Sequence, residues 1–289
     1  MPLLLGAAGA AEAPDTTLAR VLHLVEAVVR RTAYLALLVE NSMALSQLVK
    51  LAAASPWIAA YLARQPALLD ELLDPRTLYV PLQRADLEAE LRGRLEQVES
   101  GDQEAQMDAL RRFKNGHVLR VAAADVAGVL PLMRVSDYLT EIAEVCLGAL
   151  LEINWEYFGR RYGVPHYRLD GELQAAGFAV VAYGKLGGIE LGYGSDLDLV
   201  FLHDSRGEDQ YTDGAKAVDN PVFYARLGQR FIHMAETLTG AGVLYEVDMR
   251  LRPHGNSGEV ASSLEAFAGY QRSEAWTWEH QALVRASLR

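Results

Sequence analysis

The apolar residues of the chain change their spacing along its length, and this change limits the folds that it can adopt. Between about residues 15 and 165, they recur three and four positions apart, as at Leu18, Val21 and Val25. That spacing predicts one amphipathic helix after another. Further on, short apolar runs of strand length alternate with glycine-rich or polar stretches. The sequence therefore predicts an α+β fold, with an all-helical part followed by a small mixed sheet with helices.

The same patterns divide the chain into three predicted segments. Residues 1–14 are rich in Ala and Gly and are expected to form a disordered start. Residues 15–168 are expected to be all helical, and residues 169–289 are expected to hold the sheet. Within the last segment, the predicted strands are 178–183, 197–202 and 243–250, a helix is predicted over 220–238, and 205–219 is predicted to be an exposed loop.

Charge and cysteine content exclude some classes of protein. Lys and Arg number 27 against 38 Asp and Glu, which gives a formal net charge of −11. This balance argues against a nucleic-acid-binding protein with a broad basic face. A single cysteine, Cys146, cannot form an internal disulfide, and this favours a cytoplasmic location. Because no uncharged apolar run reaches about 18 residues, neither a transmembrane helix nor a membrane partner is expected.

Two aspartates, Asp196 and Asp198, stand at the start of a predicted strand, directly after a glycine-rich segment. Side chains two positions apart on a strand share a face, so both carboxylates are expected to project together. Close carboxylates repel each other, and a bound divalent cation removes that repulsion. Oxygen ligands alone suit Mg²⁺ or Mn²⁺ rather than zinc. An ordinary acidic strand end is the alternative explanation.

A third aspartate, Asp248, lies on the last predicted strand and is followed by Arg250 and Arg252. Alternate positions on a strand share a face, so these three side chains are expected to point the same way. If the two strands are neighbours, three carboxylates meet beside two guanidinium groups. Carboxylates that hold cations and arginines that contact phosphate oxygens suit a metal-bound polyphosphate. Surface ion pairing between Asp248 and the arginines is the alternative.

The glycine-rich segment between the first two strands holds five glycines in the twelve residues 184–195. Glycines let backbone N–H groups approach a phosphate closely. The segment is not a Walker loop, because Lys185 is followed by Leu and not by Ser or Thr. A flexible turn is the alternative explanation of these glycines.

The order of these features resembles the DNA polymerase β-type nucleotidyltransferase superfamily. Three longer motifs are similar to the glutamine synthetase adenylyltransferase family. They begin at Gly184 (Gly-Lys-Leu-Gly-Gly-Ile-Glu-Leu), at Leu244 (Leu-Tyr-Glu-Val-Asp-Met-Arg-Leu-Arg-Pro) and at Glu274 (Glu-Ala-Trp-Thr-Trp-Glu-His-Gln). The helical part resembles the family as well, notably Asp-Ala-Leu-Arg-Arg-Phe-Lys from Asp108. The resemblance covers nearly everything after about residue 30.

Members of that family are multifunctional enzymes of nitrogen metabolism with two nucleotidyltransferase domains, one that removes AMP by phosphorolysis and one that adds it from ATP. The motifs here resemble the adenylylating domain. The resemblance therefore implies an interdomain or regulatory helical segment over 15–168 and a polymerase β-like adenylylation domain over 169–289, truncated at its C-terminus. Two alternatives stay open: the phosphorolytic adenylyl-removing domain, and a catalytically incomplete fragment that acts as an interaction module.

The resemblance also implies a reaction and its partners. AMP would pass from ATP to a tyrosine of glutamine synthetase with Mg²⁺ as cofactor, and a PII-type protein would regulate the enzyme. Two Mg²⁺ ions would lie among three carboxylates, and Asp248 is the best candidate to accept the tyrosine proton. The predicted metal and catalytic residues are Asp196, Asp198 and Asp248, and the predicted nucleotide-binding residues are Lys185, Gly187, Gly188, Ser195, Arg250 and Arg252.

Two further groups, one aromatic and one basic, each consist of residues that lie close together in the sequence. Trp276 and Trp278 could stack on a base, although the helical spacing is expected to turn them to different faces, so that at least one of them packs inside. The basic cluster of Arg111, Arg112 and Lys114 is expected to lie on a solvated helix face.

Overall fold

A computed structural model of the chain describes residues 2–29 and 31–288. The chain forms two compact units. One contains the residues up to Asp86 together with Arg112–Leu139, and the other contains Leu87–Arg111 and the chain from Thr140 onward. The α+β class is confirmed, because helices come first and the strands follow in the second half of the chain. Residues 1–14, the predicted disordered start, include a short helix, Pro2–Gly9.

Helices account for the chain up to residue 162 and recur between the strands after it. The first six are α1 (Pro2–Gly9), α2 (Pro14–Val28), α3 (Thr32–Glu40), α4 (Ser42–Ala54), α5 (Pro56–Arg64) and α6 (Pro75–Leu78), with a 3-10 helix at Pro66–Leu73. The others are α7 (Arg84–Glu96), α8 (Gln103–Val126), α9 (Leu132–Tyr162), α10 (Gly184–Gly187), α11 (Asn220–Glu236), α12 (Leu264–Ser273) and α13 (Thr277–Leu283), with a 3-10 turn at Gly255–Ser257.

The first unit has a core of aliphatic side chains. Side chains that are 1% exposed or less include Val21, Leu24, Leu48, Leu62 and Leu69. Helix α5 has a side-chain cap at its N-terminus: the Ser55 hydroxyl accepts a hydrogen bond from the backbone N–H of Ile58 (3.3 Å), and Pro56 takes the first helical position. These features belong to the helical scaffold.

The strands of the second unit form two sheets. The smaller sheet has the order β2–β1–β5, built from β1 (Pro165–Leu169), β2 (Glu172–Ala175) and β5 (Glu208–Thr212). The larger sheet has the order β6–β4–β3–β8, with β7 also paired to β4. Its strands are β3 (Phe178–Ala182), β4 (Leu197–His203), β6 (Val247–Asp248), β7 (Ala261–Ser263) and β8 (Ser287–Leu288).

Strand β4 is central to the larger sheet. It runs antiparallel to β3 and parallel to both β6 and β7. Its interior position explains why its sequence is almost continuously apolar. Helix α11 packs against it, and the rings of Phe201 and Phe231 meet edge to face at 5.3 Å. This packing buries one face of β4, the strand that begins at the acidic residues.

Two of the secondary-structure predictions in this half of the chain are wrong. Residues 205–219, predicted as a loop, contain β5, a polar edge strand that pairs with β1. Its sequence, Glu-Asp-Gln-Tyr-Thr, lacks the apolar alternation that normally reveals a strand. The strand predicted over 243–250 is reduced to Val247–Asp248, because the chain turns directly after Asp248.

The expectation that Arg111 lies on a solvated face is also wrong. Its side chain is fully buried. The guanidinium donates to four backbone carbonyls, two in the last turn of α11 and two in the segment that follows α11. The acceptors are Met234 (2.8 Å), Ala235 (3.4 Å), Thr237 (2.5 Å) and Gly242 (2.7 Å). Helix C-termini leave carbonyls without intrahelical donors. Arg111 satisfies them and ties α8 to the segment that leads into β6.

Among the described residues, no single helix is both long and apolar enough to cross a membrane. Helices α3 and α4 pass that test of length and composition only when joined, and they are bent by 100° where they meet. Cys146, the single cysteine of the sequence, is buried in α9.

Candidate functional site

The parallel pairing of β4 with β6 brings two of the predicted carboxylates together. Leu197 lies opposite Val247, and Asp198 lies opposite Asp248. The Leu197 N–H donates to the Glu246 carbonyl (2.9 Å), which fixes this register. Asp196 directly precedes β4 and is exposed. All three aspartates therefore stand at one end of the β4–β6 pair, as the sequence predicts for neighbouring strands.

The charge around Asp198 is strongly negative. Burial raises the pKa of its half-buried carboxyl, and the negative charges of Asp196 and Asp248 raise it further. The positive charges of Arg250 and Lys185 act in the opposite direction but do not cancel this effect. A half-buried carboxylate with two acidic neighbours costs stability unless a cation compensates it. The arrangement therefore has the electrostatic character of a cation site.

Gly184 provides the space for the Asp198 carboxylate. Its φ of +56° lies in the left-handed region that favours glycine, and a Cβ there would lie 2.2 Å from Asp198 Oδ2. The Tyr183 N–H donates to the backbone carbonyl of Asp198 (2.9 Å), which holds the start of the glycine-rich segment against β4. Only glycine at this position lets the carboxylate lie directly against the loop backbone.

Asp248 is paired with Arg250 through a tight turn. The Arg250 backbone N–H donates to Asp248 Oδ1 (2.8 Å) and its Nε donates to Oδ2 (2.6 Å). The Arg250 side chain is 73% exposed, whereas that of Asp248 is 14% exposed. These hydrogen bonds lower the pKa of the Asp248 carboxyl. They make Asp248 a weak base, and its role as proton acceptor stays a prediction.

Arg252 does not join this ion pair. Strand alternation was expected to align it with Asp248 and Arg250, but β6 ends at Asp248 and the chain turns. Arg252 instead donates from Nη2 to the Asn256 carbonyl (3.3 Å). The meeting of Arg250 with Asp248 thus comes from the turn and not from a shared strand face.

The glycine-rich segment contains the remaining predicted nucleotide-binding residues. A Cβ on Gly187 would lie 1.9 Å from the Arg285 carbonyl oxygen and 2.6 Å from that of Ala182, so close backbone packing alone requires a glycine there. The Ser195 hydroxyl accepts a hydrogen bond from the Gly192 N–H (3.2 Å). Lys185 is exposed and Gly188 is half-buried. Phosphate binding by these residues stays a prediction.

The three predicted Mg²⁺ ligands, Asp196, Asp198 and Asp248, are not arranged as a ready-made metal site among the described residues. Within residues 2–29 and 31–288, no three His, Cys, Asp or Glu side chains are placed so that they could hold a metal ion together. Both oxygens of Asp248 are engaged by Arg250. The donors nevertheless fit the ion by type, because all are carboxylates. Burial, and then the charges of Asp196 and Asp248, raise the pKa of Asp198. Binding would require Asp248 to leave Arg250.

A cavity of about 480 Å³ adjoins Arg250, and the sequence did not predict it. Its other lining residues are His254, Gly255, Ser257, Tyr270, Glu274, Trp276, Trp278 and Glu279. Glu279 organises one wall, because it accepts hydrogen bonds from the Tyr270 hydroxyl (2.9 Å) and the Trp276 N–H (2.8 Å). His254 Nδ1 lies 3.9 Å from Glu274 Oε2. The only signal in the sequence was the clustering of aromatic and acidic residues after 270.

Both tryptophans line this cavity, so the expectation that they face different ways is wrong. Trp276 is 71% exposed and Trp278 is 54% exposed. The helical spacing does not apply to Trp276, because it precedes α13 with an extended backbone (φ −75°, ψ 156°). Two exposed indoles beside a guanidinium are suited to stacking on a planar ligand.

Comparison with known proteins gives the family. The family described as glutamate-ammonia ligase adenylyltransferase matches residues 45–288. Three similar proteins, each described as a bifunctional glutamine synthetase adenylyltransferase/adenylyl-removing enzyme, come from Thioalkalivibrio sulfidiphilus (62% identical), Nitrosococcus oceani (57%) and Pseudomonas syringae pv. tomato (58%). They match 99%, 99% and 100% of this chain, which spans 30%, 30% and 29% of their lengths. The chain belongs to the glutamate-ammonia ligase adenylyltransferase family.

Proposed function

We propose that this chain transfers AMP from ATP to a tyrosine of glutamine synthetase. One observation carries the proposal: Asp198 and Asp248 lie in register on parallel strands, with the charges of Asp196, Arg250 and Lys185 acting on the same carboxyl. In a member of this family, such a cluster is suited to binding a polyphosphate together with its cations.

The reaction is an in-line displacement at the α-phosphorus. The bond from the tyrosine oxygen to phosphorus forms, the bond from phosphorus to the bridging oxygen of pyrophosphate breaks, and the tyrosine proton passes to a base. Asp196, Asp198 and Asp248 would hold Mg²⁺. When bound, the ion supplies positive charge to the triphosphate and to the attacking oxygen. Asp198 is positioned for this role by Gly184 and by its pairing with β6.

Arg250 links the acidic cluster to the neighbouring cavity. It donates to Asp248 and also lines the cavity that contains the two tryptophans. We propose that the triphosphate lies along Lys185 and Arg250 and that the base stacks against Trp276 or Trp278. The volume of about 480 Å³ is in the range of small-molecule sites. Guanidinium groups are suited to phosphate oxygens and indoles to a planar base.

The direction of the reaction needs its own experiment, because the names of the relatives combine adenylyl transfer with adenylyl removal. The purified chain is incubated with unmodified glutamine synthetase, ATP and Mg²⁺, and separately with adenylylated glutamine synthetase and inorganic phosphate. We expect AMP incorporation in the first mixture and little release of ADP in the second. Release in the second mixture alone would overturn the assignment in favour of phosphorolysis.

The same incubation, repeated with a PII-type protein, tests the regulatory partner. A change in the rate of AMP incorporation would support that partner, and an unchanged rate over a concentration series would argue against regulation through this part of the family's chain.

A further inference from the structure

A second cavity, of about 470 Å³, lies within the second unit, and none of its lining residues belongs to the candidate site. It is bounded by α9, by α11 and by the turn that precedes α8. Three arginines line it, Arg160 and Arg161 from α9 and Arg230 from α11. Such a concentration of positive charge is unexpected in a chain with a net charge of −11.

The three arginines differ in how their charges are compensated. Arg160 forms an ion pair with Glu156 and donates to the Ser100 hydroxyl (2.8 Å). Arg161 donates from Nη1 to the Tyr157 hydroxyl (3.1 Å), and Arg230 donates from Nη1 to Gln103 Oε1 (2.7 Å). Within the described part of the chain, neither Arg161 nor Arg230 has a carboxylate partner. The cavity therefore carries two positive charges that no side chain balances.

Arg230 is held in place and partly removed from water. Its guanidinium lies 4.0 Å from the centroid of the Tyr157 ring, and its Nε is buried without a hydrogen-bond partner among the described residues. Burial lowers the pKa of this guanidinium, which means that its charged form is poorly solvated. A buried charged donor without an acceptor is costly, and an anion in the cavity would relieve that cost.

We propose that this cavity binds a small oxyanion with two negative charges, such as a phosphate or a short dicarboxylate. Arg161 and Arg230 would contact its oxygens, with Tyr157 between them. Guanidinium groups pair with carboxylate and phosphate oxygens through two parallel hydrogen bonds, which makes arginine the suitable residue for either ligand. The volume favours a small molecule over a nucleic acid or a protein segment.

Equilibrium dialysis of labelled inorganic phosphate against the full chain tests this proposal, with glutarate as a competing dicarboxylate and glutaramide as its neutral analogue. The informative variants are Arg161→Ala and Arg230→Gln. Arg226→Gln is the matched control, because Arg226 lies on α11 one turn earlier and donates to the Tyr162 hydroxyl (3.0 Å) outside the cavity. Arg250→Ala distinguishes phosphate that is bound at the candidate active site from phosphate that is bound in this cavity.

We expect saturable phosphate binding that glutarate displaces and that glutaramide does not displace. Each of the two variants should weaken this binding about tenfold or more, since each loses charge-assisted hydrogen bonds. Arg226→Gln should leave it unchanged, whereas Arg250→Ala should remove only phosphate that is bound at the candidate active site. Absence of saturable phosphate binding, phosphate binding that glutarate cannot displace, or binding that survives both Arg161→Ala and Arg230→Gln, would overturn the proposal. Because Arg161 is exposed, its variant is not expected to disturb folding.

Discussion

At the scale of single residues, Asp198 lies in an environment that disfavours its charged form. Its carboxyl lies against the backbone of Gly184 and beside two other carboxylates, and all of these features disfavour its charged form. Nothing about the packing of β4 requires an acid there. A carboxyl in such an environment is expected at a site that binds a cation.

We therefore predict that Asp198→Asn stabilises the protein at neutral pH while it abolishes AMP transfer. The pKa of Asp198 is raised in the folded protein, so ionisation penalises folding at pH values above that raised pKa. The penalty disappears as the pH falls through the raised pKa towards the ordinary value of about 3.9. Thermal unfolding of both proteins between pH 4 and pH 8 should show a higher Tm for the variant at pH 7 and converging values at low pH.

Asp170→Asn is the matched control for that series. Asp170 is exposed, and its φ of 52° suits Asn as well as Asp. A variant at Asp198 that is less stable than the wild type at pH 7, or a Tm difference independent of pH, would contradict this account of the carboxyl.

A second prediction at this scale concerns Gly184→Ala. Its Cβ would lie 2.2 Å from Asp198 Oδ2, so the carboxylate must move. The left-handed backbone costs about 1–2 kcal/mol for a residue with a side chain, and transfer activity should fall in addition. Gly171→Ala provides the comparison, because Gly171 has a φ of +84° with nothing within 4 Å of the added Cβ. Equal transfer rates for the two variants would show that the contact with Asp198 is unimportant.

At the scale of elements, the candidate site depends on the pairing of β6 with β4. The sequence predicts β3 and β4 well, because their apolar runs are interior strands. It does not reveal that β6 is only two residues long, since the turn that ends it is made by a hydrogen bond from the Arg250 N–H to the Asp248 side chain. It also misses β5, whose polar residues suit an edge strand. Burial of Arg111 depends on carbonyls distant in sequence, so no local pattern indicates it.

Arg111→Met should destabilise the second unit, because it leaves the carbonyls at the end of α11 without their donor. We expect a loss of about 3 kcal/mol in the free energy of unfolding. Urea unfolding measures it, with Arg92→Met as the control on the exposed surface of α7. If both variants unfolded at the same urea concentration, Arg111 would not anchor this segment.

The two tryptophans beside α13 give a prediction about nucleotide binding. Trp276→Ala and Trp278→Ala should raise the KM for ATP by about fivefold or more, since stacking on a base contributes roughly 1–3 kcal/mol. The kcat should change less, because neither indole belongs to the acidic cluster. Leu238→Ala, at a side chain that is 75% exposed and outside the cavity, is the control. An unchanged KM in both tryptophan variants would exclude the base from this cavity.

At the scale of the whole molecule, the motifs of the sequence were sufficient for the family and the α+β class. Long local motifs such as Gly-Lys-Leu-Gly-Gly and Ser-Asp-Leu-Asp can be recognised from the sequence because their residues are adjacent in it. The two cavities were not predictable in this way. Each is lined by residues from separate elements, and only the folded chain brings those elements together.

The most direct test of the central claim is transfer of label from [α-³²P]ATP to purified glutamine synthetase in the presence of Mg²⁺, followed by mapping of the labelled residue. Asp170→Asn should behave as the wild type, whereas Asp198→Asn should lose the transfer while remaining folded. The account predicts a labelled tyrosine with the wild type and with Asp170→Asn, and no label with Asp198→Asn. The account is contradicted if the folded wild-type chain leaves glutamine synthetase unlabelled, or if Asp198→Asn labels it at the normal rate.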